Sequence, residues 1–355
     1  MKNQGKYFKV IVFLLIALLA LPGLAFAKKA KTKLRPKVEQ KVEDQVSAQT
    51  YKAVDILPSM SSTSGAPNQV WAGAFQLVWN DAVETLGKPV SSRALVSVLN
   101  GDKGPVFTQA DLSAAAFYVK HGVNTLELKQ NIEEGIFKKF KEKSEILDRI
   151  IWNGRSLIFY SMLKKDFTFR QEFEDMGKDT FGNLEKPIEY FGAKTEAQKK
   201  SVVPLFYQED EFAVRLESNQ NDEIYLYRTD REGTLEELYQ SMMGQRKHTS
   251  SLKIYDQFKA PRLKFTEIKD FLDDLKGVTF PKGGNISVAL ESINFNMDKK
   301  GVKLVAEAIL GVSRGGIMMQ DPRKFIFNKR YVIFIQEKGK KPYFAMLVED
   351  PTKLQ

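Results

Sequence analysis

The chain has no cysteine, only two histidines and three tryptophans among its 355 residues. Without cysteine there are no disulfides, thiolate metal ligands or thiol nucleophiles, so a folded form must be held by its core alone. The imidazole complement is His121 and His248, both in charged surroundings and without a serine or acid partner at motif spacing. Each reads as a surface residue, and a zinc site lacks the ligands it needs. Gly311 to Gly316 are not followed by a lysine and serine, which excludes a phosphate loop. Asp270, Asp273 and Asp274 lie beside leucines and read as the wet face of a helix. The expectation is a protein that is not an enzyme, with no catalytic residue, no metal, no cofactor and no nucleic-acid partner.

Long apolar runs are also scarce. The one at Val10 to Leu24 follows Lys2, Lys6 and Lys9 and precedes Ala25-Phe26-Ala27, the layout of a cleavable signal over residues 1–27. It is short for a membrane span, which needs roughly 20 residues. The chain is therefore expected to be exported, to a periplasm or the medium, with a retained anchor as the alternative. Most of the net charge of +10 sits near the start, in the signal lysines and in Lys28, Lys29, Lys31, Lys33, Arg35, Lys37 and Lys41. Residues 28–64 read as a basic flexible linker, a solvated tail or one that touches acidic surfaces. The rest is near neutral and is expected to form one domain, 65–355, with a helix-rich part (65–156) and a sheet-rich part (157–355).

Order is expected to begin near Gln69. Trp71, Phe75, Val78, Trp79, Val83 and Leu86 keep helical spacing until Gly87 and Pro89. Thr108 to Asp111 signals the start of a second helix over 112–119, and Leu126 to Phe140 reads as a third. From Leu157 the pattern changes. Leu157 to Leu163 is a continuous apolar run bounded by charge, as in a strand covered on both faces. Ile293 to Met297 alternates before the charged turn Asp298-Lys299-Lys300-Gly301, and Thr234 with Glu237 makes a capping box. Phe325, Tyr331, Phe334, Tyr343, Phe344 and Pro351 fall in two apolar strands joined by Glu337 to Lys341, a buried hairpin.

These segments, in this order, resemble the serpin family. Ser161, Phe169 and Phe173 stand where serpins have asparagine, tryptophan and phenylalanine, so that match is partial. Val203-Pro204-Leu205-Phe206-Tyr207-Gln208 with Phe212, and Ala260-Pro261-Arg262-Leu263-Lys264-Phe265, resemble serpin strands more closely. The resemblance spans about 157–351; residues 65–156 are shorter than the corresponding half, and its asparagine-proline-serine helix is not found. It implies an α+β, multidomain-type fold with a mixed, mostly antiparallel central sheet, helices and a buried C-terminal hairpin. Leu157–Leu163 and Asn294–Met297 are expected inside that sheet, in a compact bacterial exported member of the family.

In such a fold the function lies in a segment after Gly301 that inserts as a new strand once cleaved. The resemblance assigns the hinge to Gly301, Val302, Leu304, Ala306 and Ala308, a reactive loop to Gly301–Lys324, and the scissile bond to Arg314 and Gly315. Arg314 suits a trypsin-like protease. Leu304 and Val305 are bulkier than an inhibitor's hinge residues, and Glu291 or Ser292 occupies the region of a family histidine. The expected function is a non-inhibitory binding or structural module of the cell envelope. The alternative is a serine protease inhibitor that uses Arg314. The partner would be a trypsin-like protease or another extracellular protein, and the chain a monomer.

Overall fold

The computed structural model describes residues 54–102, 106–247, 251–302 and 322–355. The described residues begin with β1 (Asp55–Ile56) and β2 (Asn68–Ala72), then α1 (Ala74–Leu86) and α2 (Ala94–Leu99). Next come β3 (Phe117–Val123), α3 (Leu126–Phe140), β4 (Leu157–Leu163) and β5 (Phe167–Thr168). They are followed by β6 (Glu174–Phe181), β7 (Leu184–Ala193), α4 (Glu196–Lys200), β8 (Val202–Tyr207), β9 (Phe212–Glu217), β10 (Asp222–Arg228) and α5 (Leu235–Gly244). The last elements are β11 (Gln257–Pro261), β12 (Leu263–Asp270), α6 (Leu272–Leu275), β13 (Leu290–Met297), β14 (Gly301–Val302), β15 (Lys324–Ile326), β16 (Tyr331–Glu337) and β17 (Pro342–Val348).

Local chemistry explains several boundaries. The Thr125 hydroxyl accepts from the Leu128 amide at the start of α3, which ends at Lys141 in a left-handed turn (φ 58°). Thr234 and Glu237 close the expected capping box on α5. The Leu126–Phe140 helix has the bounds expected from sequence; the hairpin consists of β16 and β17 alone, since Phe325 lies on β15, paired with β11 in another sheet, and Pro351 in a 3-10 turn beyond β17.

The largest sheet has seven strands in the order β1-β2-β17-β16-β10-β9-β8, antiparallel except for β1 with β2. The hairpin β16–β17 lies at its middle and is buried at every position, as a strand pair covered on both faces must be. Tyr331, Ile333, Ile335 and Phe344 are all in the core. Phe344 stacks on Phe295 of β13, ring centres 4.5 Å apart, and so joins the large sheet to the β12–β13 pair. Phe344→Ala should lower stability by about 3 to 5 kcal/mol. A urea titration showing less than roughly 1 kcal/mol would mean the site collapses around the missing ring.

Several expectations need correction. The linker ends earlier than residue 64, because Val54, Ile56, Leu57 and Met60 are buried and β1 pairs with β2. Trp71 lies on β2, and the helix starts only at Ala74. Thr108 does cap with Asp111, but only a single 3-10 turn, Gln109–Asp111. In place of a helix over 112–119 come a second short turn and β3, since pairing with β4 outweighs local propensity. The Ala260–Phe265 run divides at Arg262 between two sheets. Leu157–Leu163 and Asn294–Met297 are not inside the large sheet either. β4 pairs with β3 and β13 with β12, two separate two-stranded sheets among the described residues.

Candidate functional site

The ends of β4 and β13 are brought together by the short strands that follow them. After β13 the chain reverses over Asp298–Gly301: the Asp298 amide donates to the Gly301 carbonyl (3.1 Å), and the Lys300 amide to Asp298 Oδ1 (2.8 Å). β14 then runs back antiparallel to β5, pairing Gly301 with Thr168 and Val302 with Phe167. The amides of Phe169 and Phe173 donate to the carbonyls of Lys300 (3.0 Å) and Lys299 (2.8 Å). Gly301 has a φ of 138°, and a Cβ on it would lie 2.6 Å from the Phe167 carbonyl oxygen. No other residue fits this turn without moving β5.

β5 continues β4 in the chain, and β14 is held between β5 and the end of β13. Side chains of β4 and β13 reach adjacent residues of α1, Ala74 and Phe75, and no ladder joins the two strands among the described residues; the space between them that β14 borders is the slot. Among the described residues neither strand has a ladder on its second edge, and a free edge is a template for an added strand.

The floor of the slot is the first turn of α1. Ser161 Oγ on β4 donates to the Ala74 carbonyl at 2.7 Å. From β13, Glu291 points to the same turn and is 3 % exposed. The Phe75 amide lies nearby, yet neither carboxyl oxygen completes a well-formed hydrogen bond. Burial pushes the Glu291 pKa up to about 8, against weaker downward pulls from that amide and from Lys269. Ser292 points away from the floor and donates to Glu145 (2.9 Å), so Glu291 is the inward residue of the two.

Beyond residues 303–321 the chain is held at Arg323. Its amide and guanidinium bind Asp256, with Nη2 2.6 Å from Oδ2. Burial raises the Asp256 pKa, but the Arg323 bonds outweigh it and leave the group below its ordinary value. Arg323 also lies over the Phe325 ring, and Lys324 donates its amide to the Tyr207 hydroxyl at 3.2 Å. Both ends of the segment are thus tied to sheets.

Of the expected hinge, Gly301 and Val302 are placed, and they lie in the mouth of the slot. Leu304, Ala306, Ala308, Arg314 and Gly315 lie outside the described residues, as does His248. His121 is half-exposed but has an acid partner after all, with Nδ1 2.9 Å from Asp81 Oδ2 on α1. That pair is 40 positions apart in the chain, beyond the reach of any motif spacing. The sequence reading also left the floor of the slot unassigned. The signal was there: Glu291 occupies an inward position of an otherwise apolar alternation with Ile293, Phe295 and Met297.

No family model matches this sequence, and no curated protein matches it. In three dimensions it is similar to Serpin48, a highly specific serpin of the insect Tenebrio molitor. The TM-score is 0.51 at 11 % identity, over 82 % of this chain and 94 % of that one. The mouse protein-Z dependent protease inhibitor is also similar (0.49, 11 %, 80 % and 91 %), as is human thyroxine-binding globulin (0.46, 12 %, 80 % and 92 %). The Serpin48 likeness, spanning nearly all of that protein, establishes that the chain has the serpin fold.

Proposed function

We propose that this protein is an exported, monomeric, non-inhibitory module of serpin type, whose segment after Gly301 is a contact site for a trypsin-like protease or another extracellular protein. Cutting that segment releases it to insert between β4 and β13. The observation that carries the reading is β14, already bonded to β5 at the mouth of the slot. Continuing the Gly301–Thr168 and Asp298–Gly301 pairings without a bulge sets the register of an inserted strand. Ala306 would lie beside Ile293 and Leu163, and Ala308 between Glu291 and Ser161. Small residues would thus fall over the first turn of α1, where the floor is closest. Leu304 would pack beside Phe295.

Inhibition demands more than insertion, because insertion must outrun hydrolysis of the acyl-protease. Leu304 and Val305 give the hinge more bulk to pass through the slot, which slows that race. The inhibitor reading is kept for one reason: the turn at Gly301 is already formed, so insertion starts from an existing nucleus. The two readings separate on incubation with a trypsin-like protease. Cleavage after Arg314 with no SDS-resistant complex is the expected result. A covalent complex at near one-to-one stoichiometry, abolished by Arg314→Ala, would replace it with the inhibitor reading.

A further inference from the structure

Of the nine large apolar side chains left exposed among the described residues, four gather at one end of the β3–β4 pair. Val123 ends β3 and Leu157 begins β4, opposite each other in the ladder. Leu126 opens α3 just beyond, and Ile151 lies in the turn that leads into β4. In that order they are 52, 41, 64 and 78 % exposed. Asn124, itself buried, pins the turn to the strand end. Its amide donates to the Ser156 carbonyl (2.8 Å), its side-chain nitrogen donates to the Ile151 carbonyl (2.9 Å), and its own carbonyl accepts from the Gly154 amide (2.6 Å). Ile150 and Trp152 pack inward on the cluster that holds Leu128, Ile132 and Ile158, so Ile151 between them is turned out. The charge at this end is basic. Arg149 and Arg155 are exposed on either side of Ile151, in none of the ion pairs among the described residues, and the run from Arg149 to Leu157 contains no acid. Asp148 is taken by Lys129 (2.6 Å), which leaves Glu127 on α3 as the free acid here.

We propose that this end of the β3–β4 pair docks on an anionic lipid surface, with Ile151 and Leu126 entering the acyl boundary and Arg149 and Arg155 on the lipid phosphates. Projecting aliphatic side chains flanked by cations match a partner that is apolar inside and negative outside. A second copy of the chain would bring the same two arginines to the contact, and like charges oppose that pairing. Trp152 would lie at headgroup level, the usual place for an indole whose ring is apolar and whose nitrogen is satisfied, here by the Leu147 carbonyl at 3.1 Å. β4 runs about 20 Å from Leu157 to Leu163. β5 and β14 are at its far end, so docking leaves the mouth of the slot clear of the lipid. The contact does not depend on strand insertion and stands or falls apart from it.

Trp152 reports the contact, because the other two tryptophans, Trp71 and Trp79, are buried in the main core. The full chain is mixed with vesicles of phosphatidylcholine containing about 30 % phosphatidylglycerol, made with plain or brominated acyl chains, and its emission is compared with that of Trp152→Phe. Bromine should quench the Trp152 share of the emission, and vesicles of phosphatidylcholine alone should not. The apparent affinity read from the quenching should fall about tenfold or more in Ile151→Asp, and likewise when Arg149 and Arg155 are both changed to Gln. Ile151 is exposed, so the aspartate leaves the fold intact. Attachment through the lysines near the start of the chain would persist in Ile151→Asp, so equal quenching of that variant and the wild type overturns the proposal. Equal wild-type emission in plain and brominated anionic vesicles overturns it too, as it would if this end met another protein. Self-association in sedimentation equilibrium that Ile151→Asp abolishes would give this end to a second copy, and also overturns it.

Discussion

A single cut between Val302 and Arg323 should raise the melting temperature by about 10 °C or more when the cut chain is held near neutral pH. The tethers at Gly301 and Arg323 hold the two ends of the segment on separate sheets. Cutting frees the first part to follow β14 into the slot. Two leucines, Leu304 and Leu310, would then be buried at roughly 1.5 to 3 kcal/mol each. The facing edges of β4 and β13 would gain ladder hydrogen bonds on both sides of the new strand. At about 2 to 4 °C per kcal/mol for a chain of this size, the side chains alone approach the stated rise. Differential scanning calorimetry before and after limited trypsin digestion measures it directly. An unchanged or lower melting temperature, with the cut mapped inside the segment, would remove strand insertion from the account of this protein.

Lys165→Met should cost about 3 to 5 kcal/mol near neutral pH. Lys165 sits in the link between β4 and β5, with Nζ 2.9 Å from Asp222 and 2.6 Å from Glu337. Both acids are buried at the ends of β10 and β16. The Tyr343 hydroxyl donates to Asp222 at 2.9 Å, and the Ser113 amide to Glu337 at 2.8 Å. Burial raises the Glu337 pKa, but Lys165 and Ser113 more than offset it and hold the group at about 2. This folded-state value lies below the unfolded one. The stabilisation is therefore complete above about pH 4.5 and is lost as the pH falls toward 2. Without the lysine the two carboxylates are left buried beside each other, with Lys340 reaching only Glu337 at 3.3 Å. The deficit should shrink as acid protonates them. Urea midpoints at about pH 7 and about pH 4 test both parts. A loss below roughly 1 kcal/mol at the higher pH would show that the cluster rearranges freely.

Much of the fold was legible because its signals are local. Leu126 to Phe140 was legible as a helix from its own pattern, and Thr234 with Glu237 marked the start of α5. The C-terminal hairpin announced itself by two apolar runs around a lysine-rich turn. What local signals could not supply was partnership. The apolar run of β4 is compatible with any covered strand, and only tertiary contacts show that it pairs with β3 and packs on α1. Phe117 to Val123 follows a genuine helix-start signal and becomes a strand because β4 offers it a ladder. Of the site, Gly301 was legible from the charged turn that precedes it. The Ser161–Ala74 bond and the approach of Glu291 to Phe75 join positions far apart in the chain, and no spacing rule reaches them.

The placement of the hairpin at the middle of the seven-stranded sheet bears on how the chain is made. β2 has β17 as its long antiparallel neighbour, and the seam is closed by Asn68 donating to the Asp350 carbonyl, 282 positions away. At roughly 5 to 20 residues per second, β2 waits about 15 to 60 s for its partner to be synthesised. The edge of β2 is open throughout that interval and that of β10 from its synthesis until β16 follows, and such edges recruit other chains. Slow, late closure of a nonlocal sheet is thus built into the topology, and the growing chain depends on being kept apart from its neighbours until β16 and β17 arrive.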